Sequence, residues 1–160
     1  MKHLMIVITI FAAFFFAAAQ IADAQENTKV QQAVNEIVKK YENTDGVSCM
    51  TLVKGGGLEL IKTALNKEFG KSFMKGVTSI TIIEYSEASK ETSASLRKDL
   101  DVFQTLLQDF KIGEEKEFAD NDYIRCFASE NEGVLSDFVI AMEDGESKTI
   151  MYMAGKIIIE

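Results

Sequence analysis

Apolar residues recur along this chain with two different periods, and the switch between them predicts its elements. Val30, Ala33, Val34, Ile37 and Tyr41 fall at three- and four-residue steps, with Lys29, Gln32, Glu36 and Lys40 on the other side. That stripe predicts a helix over 28–41. Asn43-Thr44-Asp45-Gly46 is a stop and turn signal, and the run 47–53 after it reads as a strand. Gly55-Gly56-Gly57 then breaks the chain before a second helix over about 58–69, whose stripe is Leu58, Ile61, Ala64, Leu65 and Phe69. A second strand is expected over 77–85, where Ile80 and Ile82 face one way and Ile83 the other, a pattern suited to cover on both sides. Leu96, Leu100, Phe103, Leu106, Leu107 and Phe110 give the strongest helical period, predicting one helix over 91–110 that ends at Gly113.

Beyond Gly113 the period shortens. The runs 116–119, 123–128, 134–142 and 148–159 are strand-like, and Asn131-Glu132-Gly133 and Glu143-Asp144-Gly145-Glu146 have hairpin-turn chemistry between the last three. Gly155 interrupts the final strand and marks a bulge. With helices toward the front and consecutive strands at the back, the expected class is α+β, three helices packed on one face of a largely antiparallel sheet that ends in a β-meander.

The start of the chain reads differently. Lys2 and His3 precede an apolar run of sixteen residues, Leu4 to Ala19, followed by Ala22-Asp23-Ala24. A positive n-region, an h-region and an A-x-A site make a secretory signal, and the run is shorter than the roughly 20 residues a membrane helix needs. Cleavage is expected after Ala24, leaving 25–160 as a single domain with no transmembrane segment, in the periplasm or outside the cell. The first cysteine after the run is Cys49, too far downstream for an N-terminal lipid anchor.

Composition narrows the chemistry. Loss of Lys2 and Asp23 leaves the formal net charge of the 160-residue chain at −8, which opposes nucleic acid and anionic lipid as partners. His3 is the single histidine and departs with the leader, which disfavours Ser-His-Asp and Cys-His hydrolysis and most zinc sites. No catalytic residue, cofactor or metal ligand is therefore assigned. The acids Glu114, Glu115, Glu117, Asp120 and Asp122 read as a solvated face; a carboxylate pair for glycan cleavage drawn from Glu117 and Asp120 is the alternative. Asp120-Asn121-Asp122 and Glu143-Asp144-Gly145-Glu146 offer oxygen ligands without EF-hand spacing. Gly55-Gly56-Gly57 lacks the phosphate-loop pattern and reads as a joint. Cys49 and Cys126 lie in strand-like runs, so a disulfide between them is open if those strands are neighbours in matching register, and two buried thiols are the other reading.

Lys39-Lys40-Tyr41 running into Asp45-Gly46-Val47, the segment Leu96-Arg97-Lys98-Asp99-Leu100 before the meander, and the closing Ile150-Met151-Tyr152-Met153-Ala154-Gly155-Lys156-Ile157 together resemble a Bacteroidetes family of small exported proteins defined only by a domain of unknown function. The resemblance implies an exported α+β domain and carries no catalytic residues. The expected function is a non-enzymatic exported domain binding a protein or envelope component, with a strand edge of the meander as the docking site unless Lys148 and Lys156 block it. A carrier with an apolar space between helices and sheet, and a carboxylate hydrolase acting on glycans, are the alternatives.

Overall fold

The computed structural model describes residues 28–109, 123–132 and 134–158. The expected leader, the acids from Glu114 to Asp122, the expected strand 116–119 and the helix stop at Gly113 lie outside them. Chain order is α1 (Lys29–Tyr41), β1 (Ser48–Leu52), α2 (Gly56–Phe69), β2 (Gly76–Glu84), α3 (Lys90–Asp99), α4 (Val102–Leu106), β3 (Gln108–Asp109), β4 (Tyr123–Asn131), β5 (Val134–Asp144) and β6 (Ser147–Ile158). The strands form one six-stranded sheet in the order β1-β2-β6-β5-β4-β3, antiparallel at every pairing. The class is α+β, as the change of period predicts.

The helices do not share one face. Val30, Ala33, Val34, Ile37 and Tyr41 of α1 join Leu96 of α3, Leu100 just after it and Phe103 of α4 in a core against Ile83, Phe127, Val139, Ile150 and Tyr152 of the sheet. Leu58, Ile61 and Leu65 of α2 join a separate core with Ile80, Ile82, Ile140, Met151 and Met153. The reason is the strand composition. Successive residues point to opposite sides of a sheet, and β2, β5 and β6 are apolar at consecutive positions, so both faces must be covered. Burial of Ile80, Ile82 and Ile83, each at 2% exposure or less, follows from that arrangement.

The strongest helical stripe is also divided. α3 stops at Asp99, Leu100 and Asp101 make a turn, and α4 carries the chain on to Leu107, which turns extended (φ −131°, ψ 169°). Two pulls account for the break. Asp101 Oδ1 accepts from Arg125 of β4 at 2.9 Å, and Gln108 and Asp109 pair with Ala128 and Phe127 of the same strand. Sheet pairing therefore overrides helical propensity where the chain reaches β4, while Leu96, Leu100, Phe103 and Leu107 stay buried. At the other end of α3, Ser89 caps the helix by accepting from the Thr92 amide. Asp99 ties α3 to α1 by accepting from Lys40 Nζ at 2.6 Å and from the Tyr41 hydroxyl at 2.7 Å.

Gly155 sits at a register shift shared with both neighbours of β6, between Val77 and Ser79 on β2 and between Ser136 and Phe138 on β5. Its φ is +103°, and a side chain there would strike the Gly76 carbonyl, so only glycine fits. Opposite it, Asp137 takes φ +52°, a left-handed conformation that Asp tolerates better than most residues. The bend aims its carboxylate at the buried Tyr152 hydroxyl, which donates to Oδ1 at 2.7 Å. Asp137→Asn keeps both an acceptor and left-handed tolerance, and is expected to leave stability within about 0.5 kcal/mol of wild type. Asp137→Ala removes the carboxylate acceptor of that phenol and is expected to cost about 1–3 kcal/mol. Paired urea melts of the two variants check this, and equal losses would count against the hydrogen bond.

Candidate functional site

The edges of the sheet decide which backbone groups remain for a partner. β6, the last strand of the meander, lies between β2 and β5. Lys148 and Lys156 therefore guard no edge, contrary to the expectation for a terminal strand. Lys148 instead donates from Nζ to Ser93 Oγ at 3.2 Å, and Lys156 pairs with Gly76 and Ser136 on either side. The strands at the ends of the order are β3, two residues long, and β1.

β1 is Ser48-Cys49-Met50-Thr51-Leu52, five residues without a charge or a proline, all half-buried. It pairs with β2 from Ser48↔Glu84 to Leu52↔Ile80 without a register shift, and Thr51 and Thr81 hydroxyls meet across the pair at 3.0 Å. Among the described residues no strand pairs with its outer side. Natural edges are usually blunted by charge, proline or a bulge, and β1 has none of these. Met50 stands opposite Ile82, a member of the α2-side core, and directly opposed residues share a face. Leu52 packs on that core as well. Above it, the Cα of Gly57 in α2 turns toward the Leu52 methyls, 3.5 Å from where a β-carbon would stand. Leu60, three residues on and so on the same flank of the helix, is 55% exposed, the most open large apolar residue described. Uncharged strand and apolar helix flank thus form one strip. Exposed Asp45 precedes it and exposed Lys54 follows it, and neither makes an ion pair among the described residues. Gly46, at φ +74°, lets the turn before β1 lie against the Glu87–Ala88 backbone, where a side chain would collide.

The cysteines are both free. Three strands separate β1 from β4, and Cys49 packs toward the α1 side while Cys126 belongs to the α2-side core. The condition for a disulfide between them, neighbouring strands in register, is not met, because the meander inserts β6 and β5 between the two. Burial pushes the Cys126 thiol up to about 12 and, with the Glu42 charge adding to it, that of Cys49 up to about 11, so both stay protonated near neutrality and are weak nucleophiles.

The acids of the 143–146 turn do not converge on a cation. Glu143 turns inward, its side chain 5% exposed. It accepts from Arg97 Nε at 2.7 Å and from the Tyr85 hydroxyl at 2.9 Å, and its other oxygen pairs with the second guanidinium nitrogen. The Arg97 guanidinium lies 4.8 Å from the Tyr123 ring centroid, an attractive cation–π contact. Burial pushes the Glu143 carboxyl up, but the hydrogen bonds from Arg97 and Tyr85 outweigh it and hold the carboxyl below its ordinary value. An ionised carboxylate with both oxygens engaged fastens α3 to the end of β5; it is not poised to move a proton. Asp144 accepts from the Ser147 amide at 3.1 Å and shapes the turn. No group of three potential metal-ligating side chains occurs among the described residues. Gly55 and Gly56 open α2 without a side-chain cap, as a joint does. The gap between α1 and the sheet, lined by Val34, Ile37, Thr81, Ile83, Phe103, Ile150 and Tyr152, has a volume of about 10 Å³. That is room for a single water, and it gives the carrier reading no support.

The sequence did not mark β1 as the edge, because a strand lacking charge reads as a central one. Leu60 was the available signal, an apolar residue off the Leu58, Ile61 and Leu65 stripe. No family model, curated protein or solved structure matches the chain.

Proposed function

We propose that the chain is an exported domain that binds a protein partner along the β1 edge, with the adjoining flank of α2 as its apolar support. The observation that carries this reading is the uncharged, unbulged edge strand beside the exposed Leu60. A partner strand added there satisfies the outward N–H and C=O groups of β1 and covers Leu60, the pairing that β-augmentation uses. Export follows from the leader and from the likeness to the Bacteroidetes exported family, and it places the partner in the periplasm, envelope or exterior.

A tagged chain incubated with an envelope extract of its own cells tests this under mild salt. Retention of a discrete protein by wild type, and its loss with Leu60→Lys and with Met50→Lys, is the expected result. The first change alters an exposed side chain and leaves the fold intact, which circular dichroism verifies. Empty captures, or captures identical for all three proteins, would remove the edge from consideration.

A further inference from the structure

Resting on that reading, we infer that the occupant of the β1 edge is a second copy of the chain, paired antiparallel about Met50. Residues directly opposed in an antiparallel pair point to the same face, so a two-fold axis perpendicular to the sheet can match only residues of equal face along β1. It can therefore pass through Cys49, Met50 or Thr51. Through Met50 alone are all five residues Ser48–Leu52 paired, Ser48 with Leu52 of the other copy, Cys49 with Thr51 and Met50 with itself. Every opposed pair is then neutral, and six strands from each copy become one continuous sheet.

Charge disfavours the axis through Thr51 and suits the one through Met50. The Met50 register sets Lys54 of each copy opposite Gly46 of the other, beside Asp45, and both side chains are exposed with no ion pair among the described residues. The axis generates this contact twice. For a protein of net charge −8, which otherwise repels its own copy, paired attractions at both ends of the seam give the strand a preferred mate. On the α2 side the two helices stand either side of the axis with Leu60 between them. The residue most exposed in one copy is thereby covered by the other.

Sedimentation of the purified full-length gene product, as its cells process it, over a hundredfold range of concentration tests the inference. A dimer that dissociates on dilution is expected. Lys54→Glu should weaken it about tenfold, since two exposed pairs are lost together. Asp45→Lys combined with Lys54→Glu should recover most of that loss, which a merely structural role for either residue would not do. In a Cys49→Ser background, Met50→Cys should form a disulfide-linked dimer on mild oxidation, because the axis passes through that position. A chain that is monomeric throughout, or a dimer indifferent to Lys54→Glu, Leu60→Glu and the charge exchange, would overturn the inference. If it is monomeric while Leu60→Lys still abolishes capture from envelope extract, the edge binds another protein and only the self-pairing fails. If capture is also unaffected, the edge reading fails with it.

Discussion

Phe103→Ala is expected to lower the free energy of unfolding by about 3–5 kcal/mol, the range for removing a large aromatic side chain from a packed core. Phe103 is 1% exposed, and its ring lies 6.0 Å from that of Phe127 at an interplanar angle of 43°, an attractive tilted contact worth about 0.5–1.5 kcal/mol beyond its buried area. It also borders the small gap between α1 and the sheet. Truncation would merge the lost volume with that gap, and the surrounding strands, fixed by pairing on both sides, cannot collapse into it. The effect should stand at the upper end of the range for this reason. α4 has five residues, too few to be helical without its buried contacts, so the variant should also lose helicity between Val102 and Leu106. Urea melts followed by far-ultraviolet circular dichroism measure the change; the chain has no tryptophan to report by fluorescence. The companion change Ile61→Ala removes a side chain from the core on the other face. The two losses should sum to within about 0.5 kcal/mol, since side chains in separate cores share no neighbours. Strong coupling between them would contradict the two-faced sheet.

Arg97→Met is expected to cost about 2–3 kcal/mol near neutral pH. Removing one partner of a buried ion pair leaves an uncompensated charge, for which about 3–5 kcal/mol is usual. The lower figure applies because the Arg97 side chain is 47% exposed, so water reaches the space it vacates. The pH dependence separates lost pairing from lost packing. In the wild type the Glu143 carboxyl is held below its ordinary value of 4.5. A depressed carboxyl contributes stability that is fully present above the unfolded value and is lost as pH falls through the folded one. Wild type should therefore weaken as pH drops below about 4.5. In Arg97→Met the guanidinium is gone and burial of the carboxylate raises the carboxyl, so acid relieves the unpaired charge. The stability gap between the two proteins should begin to narrow above that pH, as the raised carboxyl of the variant takes up its proton, and go on narrowing as pH falls through the depressed value of the wild type. A gap that stays constant to pH 3 would assign the loss to packing alone.

The edge experiments and these two differ in what they perturb. Leu60, Asp45 and Lys54 lie on the surface, and their substitution should alter association with little change in the unfolding curve. Phe103 and Arg97 hold α3 and α4 on the sheet, and their substitution should alter stability first.

Local pattern was sufficient for most elements. The stripe Val30, Ala33, Val34, Ile37 and Tyr41 specified α1 and its buried side, because helical period is written in the neighbours of each residue. The turn residues at 131–133 and 143–146 specified the hairpins of the meander, and Gly155 its irregularity. Three features came only from the assembled fold. The long stripe from Leu96 is divided at Leu100–Asp101 because Asp101 meets Arg125 and Gln108 meets Ala128, residues 20 or so apart in sequence whose approach no local period encodes. Glu143, by sequence one acid in a polar turn, is buried because Arg97 of α3 and Tyr85, just beyond β2, converge on it. β1 became an edge, and β6 a central strand, through the order in which the strands assemble. Composition tells a strand how much of it should be buried; which strand comes to lie beside it is decided by long-range pairing, and that left a row of backbone groups at Ser48–Leu52 with no partner strand among the described residues.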